Sequence, residues 1–105
     1  HAEAFIQESF ISSHIYPQIW IDLESAVELS ETQLTEGHES DIYVQNNSTL
    51  LASNCIIQND KFNFNVQAVN NSKINLVQTT VENSVGDKFY SENNSQIIHS
   101  LDELN

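Results

Sequence analysis

Apolar residues recur along this chain in short alternating groups, and the groups themselves recur every 23 or 24 residues. The tripeptide Asn-Asn-Ser marks the period at Asn46–Ser48, Asn70–Ser72 and Asn93–Ser95, with Ser25 one step earlier. Successive serines are 23, 24 and 23 residues apart. Relative to each serine, position +2 holds Val27, Leu50, Ile74 and Ile97, and position +4 holds Leu29, Ala52, Leu76 and His99. Position +7 holds Thr32, Cys55, Thr79 and Asp102; position +9 holds Leu34, Ile57, Val81 and Leu104. Before the serine, position −4 holds Ile21, Val44, Ala68 and Ser91, and position −6 holds Ile19, Ile42, Val66 and Phe89. Steps of two within each group are strand alternation, not helical spacing. The columns extend back through Ala4, Ile6, Ser9 and Ile11. Each period therefore predicts three short strands, and a fixed period of this size marks a solenoid.

The Asn-Asn pair falls between the first and second strands. Asn tolerates the left-handed backbone region, so a two-residue turn is expected there, with asparagine side chains stacked and hydrogen-bonded from coil to coil. A polar segment of variable length follows the third strand (Thr35–Ser40, Gln58–Asn63, Asn83–Asp87). The segment Ala2–Phe10 also has the makings of an amphipathic capping helix, but its columns fit the strand repeat better.

These Asn pairs (Asn46-Asn47, Asn70-Asn71, Asn93-Asn94) with their flanking apolar columns resemble the right-handed parallel β-helix of pectate-lyase-like proteins and of many phage and surface proteins. The resemblance is one of fold and covers almost the whole chain. It implies an all-β solenoid of about four to five coils, forming one domain over residues 1–105 of a larger protein or assembly. A β-sandwich is the structural runner-up. A coil cannot bury its inner face alone, so uncapped ends would present pairing edges and invite end-to-end stacking of copies.

Composition narrows the partners. Fifteen acidic residues against three Lys and no Arg give a net charge of −12, which disfavours nucleic acid and anionic membrane surfaces. Nine of the acids, and no Lys, lie in residues 1–52. No apolar run is long enough to cross a bilayer as a helix. One cysteine excludes an intrachain disulfide and leaves the compartment open; the resemblance leans towards a secreted or cell-surface setting.

Candidate chemistry is sparse. β-Helix lyases use an Arg or Lys base with calcium held by acids, and β-helix hydrolases use grouped Asp residues. Here Lys73 stands alone at an outward position and the five Asp are scattered. No catalytic residue, metal ligand set or cofactor motif is assigned. The acidic run Glu36-Gly37-His38-Glu39-Ser40-Asp41, with His14 nearly one period earlier, has metal-ligand residue types but no ligand spacing, and reads as a solvated loop. Cys55 and His99 fall in inward columns and read as structural. Asn46, Asn47, Asn70 and Asn93 head glycosylation sequons, which the turn column explains better.

The binding candidate is the outward column at −5: Trp20, Tyr43 and Tyr90, interrupted by Gln67. Aromatics standing off one sheet face suit sugar rings or a protein partner. The expected function is thus a non-catalytic binding or structural module of a larger protein, contacting a protein or glycan. The alternatives are a fragment of a carbohydrate-active β-helix enzyme with its catalytic residues elsewhere, and a self-assembling scaffold.

Overall fold

The computed structural model describes residues 3–7, 10–12, 19–35, 40–59, 64–92 and 94–100. It is all-β and every strand pairing is parallel, as the repeat predicts. Three sheets line three sides of the solenoid. Sheet A contains β1 (Glu3–Gln7), β4 (Ala26–Ser30), β7 (Thr49–Ser53), β10 (Lys73–Val77) and β13 (Gln96–Ser100). Sheet B contains β2 (Phe10–Ser12), β5 (Gln33–Thr35), β8 (Ile56–Asn59) and β11 (Thr80–Asn83). Sheet C contains β3 (Ile19–Ile21), β6 (Ile42–Val44), β9 (Val66–Ala68) and β12 (Phe89–Ser91). Residues 3–7 form a strand, not a capping helix.

The register reproduces the sequence columns. Val27 pairs with Leu50, Leu50 with Ile74 and Ile74 with Ile97. Ile19, Ile42, Val66 and Phe89 are likewise in line on sheet C. Between β4–β6 and β7–β9 the step is 23 in sheets A and B but 24 in sheet C. In the next lap it is 24, 24 and 23. The single extra residue therefore lies between β8 and β9. The corner from sheet B to sheet C absorbs length variation, while the other two corners keep a fixed length in every described coil.

Inward residues form one continuous core. Leu34, Ile42, Val44, Ala52, Ile57, Val66, Ala68, Ile74 and Leu76 are fully buried. Stacking of like on like lets each coil present the shape its neighbour expects, which is how solenoids distribute stability across coil interfaces. Complete stacking through all three sheets occurs three times, with sheet A alone extending to β13, slightly short of the four to five coils expected. Asp102 and Leu104, assigned to the next inner columns, lie outside the described residues.

Two corner types hold the sheets together. Asn46-Asn47 and Asn70-Asn71 both have positive φ at each residue, as the turn chemistry predicts, and Asn94 matches them. Their backbones are bonded across coils, for example Asn47 N–H to Asn70 O at 3.0 Å. The corner from sheet A to sheet B uses one left-handed residue per coil: Glu31, Asn54 and Gln78. The next residue fixes it. The Thr32 and Thr79 hydroxyls and the Cys55 thiol each donate to the carbonyl two residues back, at 2.9, 3.0 and 3.3 Å. Cys55 does a threonine's work in this column.

Candidate functional site

Each sheet C strand has three residues, so its outer residues point into the core and its middle residue points out. The middle residues are Trp20, Tyr43, Gln67 and Tyr90, in register across four coils. At ~4.8 Å per coil the stripe is ~14 Å long. Trp20 is 56% exposed and meets Tyr43 edge-to-face, with ring centroids 5.8 Å apart. Tyr43 is half-buried. Tyr90 is 37% exposed and leans on Phe64, with centroids 5.2 Å apart. Its hydroxyl donates to the Glu92 carboxylate at 2.7 Å, and that carboxylate pushes the phenol above its ordinary pKa. Gln67 divides the two aromatic patches and donates its side-chain amide to the Ser40 hydroxyl.

The structure thus brings Trp20 and Tyr43 into contact and places Tyr90 two coils from Tyr43 on the same face. Sequence reasoning missed Phe64, Ser40 and Glu92. The Tyr90–Glu92 pair is separated by two residues in the chain, so only strand alternation could have signalled it. Phe64 sits in the variable corner, where no column constrains it.

The acidic run before β6 is not wholly solvated, contrary to expectation. Ser40 and Asp41 are buried; Asp41 Oδ2 accepts the Asn65 side-chain amide at 3.2 Å. Asn65, itself fully buried, also donates to Glu82 O at 2.8 Å and accepts from Asn83 Nδ2 at 3.2 Å. Thr35, Gln58, Asn59 and Asn83, placed in the polar loops by the sequence, belong to strands, and Thr35 and Asn59 are buried. Buried polar groups are tolerated when hydrogen-bonded, and here they close the corner between sheets B and C. His14, His38, Glu36 and Glu39 lie outside the described residues. Among the described residues, no three His, Cys, Asp or Glu side chains converge as a metal site would need.

Cys55 is 2% exposed, and burial pushes its thiol above the ordinary range, the opposite of what a nucleophile needs. His99 lies at 2.7 Å from Thr79 O through Nε2, so that nitrogen carries the hydrogen; the ring meets Phe89 edge-on. Both residues have the structural roles their columns implied. At the sequons, Asn46 Nδ2 donates to Asp22 and Asn70 Nδ2 donates to Asn46 Oδ1. At these two positions the nitrogen a glycan would occupy is engaged in the ladder.

No family model, curated protein or solved structure matches this chain. The likeness to parallel β-helices is one of architecture: parallel strands stacked as a β-solenoid.

Proposed function

We propose that this solenoid is a non-catalytic module of a larger protein that engages a glycan or protein through the outer face of sheet C. The observation that carries the reading is Trp20, a large aromatic held more than half exposed at one end of an ordered stripe with Tyr43, Gln67 and Tyr90. Exposed Trp and Tyr on rigid strands offer large contact area at little entropic cost. A neutral glycan fits best of the two partners. The stripe sets aromatic rings on either side of the Gln67 amide, apolar and polar groups together, as sugar rings and their hydroxyls require. The net charge of −12 disfavours acidic polymers.

Trp20 is the chain's one tryptophan, so its emission reports directly on this face. Titration with neutral oligosaccharides of four to six residues is expected to shift Trp20 fluorescence. Tyr43→Ala should then weaken binding about 10-fold, the order of a lost aromatic contact, without changing the circular dichroism. Capture of a purified protein partner that Trp20→Ala abolishes would keep the module and replace the sugar. Absence of both kinds of binding, or cleavage of the sugar by the chain, overturns the reading.

A further inference from the structure

The outer face of sheet A carries a second feature, remote from the aromatic stripe. The +1 and +3 residues of β4, β7 and β10, together with Glu3 of β1, line an open groove of about 360 Å³. Its floor and walls are apolar or neutral in the middle, where Ala26, Thr49 and Leu51 meet. Its ends are oppositely charged. Glu3 and Glu28 stand at the β1–β4 end, and Lys73 stands at the β10 end. Three of the chain's residues are Lys, so a cation placed here, facing two acids across a neutral floor, gives the groove a direction.

Neither Glu28 nor Lys73 has an ion-pair partner among the described residues. The two cannot pair with each other. They are two coils and two residues apart in register, which sets their Cα atoms ~12 Å apart. Opposite charges held at fixed separation on rigid strands, over a neutral floor, are complementary to a ligand with an ammonium at one end and a carboxylate at the other. An extended peptide advances ~3.3–3.6 Å per residue, so three to four residues span that distance. The volume lies in the range of sites for small ligands. A second copy of this chain is a poorer occupant, because its net charge of −12 repels its like.

We infer that the sheet A groove is a binding site for a short oligopeptide with free termini, its ammonium at Glu28 and its carboxylate at Lys73. The peptide lies across the strands, from coil to coil. This is independent of the sheet C face and stands or falls separately from it.

The probe is tetra-alanine, followed by backbone amide chemical shifts of the whole chain. Expected shifts fall on Ala26, Thr49, Leu51 and Asn75, while Trp20 and Tyr43 stay still. Lys73→Gln should weaken binding about 10-fold, and so should amidation of the peptide's C-terminus; the two losses should not add, because they remove the same contact. Glu28→Gln and N-acetylation form the matching pair at the other end. No shift at Thr49 and Leu51 with millimolar peptide overturns the inference. So does binding that survives Lys73→Gln and C-terminal amidation, which would make the groove a site for a simple cation or a neutral ligand.

Discussion

The Asp22 carboxylate accepts the side-chain amide of Asn46, one coil away, at 2.7 Å. It also accepts Gln45 Nε2 and the backbone N–H of Leu23, each at 2.7 Å. Asn46 in turn accepts Asn70 Nδ2 at 3.2 Å. Asp22 thus begins a polar ladder on the turn side of the solenoid. The three donors hold its carboxyl below the usual carboxylate range, with the Asn46 amide contributing most.

The sign of the pH effect follows. The folded-state value is depressed, so Asp22 contributes stability that is present above its unfolded value of about 4. That contribution is lost as pH falls through the lower folded value. Asp22→Asn also turns an acceptor towards the Gln45 and Asn46 amides into a donor. The expected outcome is a smaller loss of denaturation midpoint between pH 5 and pH 2 in Asp22→Asn than in the parent, measured by urea titration at each pH.

Leu23 and Glu24 occupy the turn column that Asn-Asn fills in the next two coils, and both have φ of 59°. A left-handed backbone is costly for residues other than Gly and Asn. Leu23 is also 71% exposed, so burial does not compensate. Replacing Leu23 and Glu24 with Asn should raise stability by about 0.5–1 kcal/mol each, read from denaturation curves with an unchanged slope.

The serine column separates two hydroxyls that look alike in sequence. Ser48 Oγ accepts the Ser25 N–H at 3.1 Å, and Ser95 Oγ accepts the Ser72 N–H at 3.0 Å. Ser72 Oγ is buried with no hydrogen-bond partner. Ser48→Ala should cost about 1 kcal/mol, whereas Ser72→Ala should be neutral or stabilising, because it removes a desolvated group that bonds to nothing. Equal losses at both positions would contradict this account of the column.

Asn65 links three coils from one buried side chain. Its replacement by Leu removes a donor from Asp41 and from Glu82 O, and an acceptor from Asn83. The expected loss is about 2–4 kcal/mol in chemical denaturation. Gln67→Leu, on the outer face and half-buried, should cost less than about 1 kcal/mol.

The inner columns were legible because a repeating backbone register allows only apolar or small side chains at those positions, and Cys55 and His99 could be placed by the same rule. The Asn turns were legible because few residues tolerate positive φ. Polarity misplaced Ser40, Asp41 and Asn59. Ser40 and Asp41 are buried against Gln67 and Asn65, 27 and 24 residues away, beyond the reach of any local pattern. The sheet A groove left no periodic signal, since outward columns are free to vary and its depth comes from Ala26 standing beside larger neighbours. The stripe at Trp20, Tyr43 and Tyr90 was found because the inward assignment of its flanks fixed its direction.

The central claim is a parallel solenoid in which Leu50 lies between Val27 and Ile74. Cross-strand nuclear Overhauser effects test it most directly. The account predicts amide-to-α-proton contacts linking residues 23 or 24 apart throughout sheets A, B and C, with β7 touching both β4 and β10. Strong α-proton to α-proton contacts between segments adjacent in sequence, such as Thr49–Ser53 with Ile56–Asn59, would mean antiparallel hairpins and would contradict it.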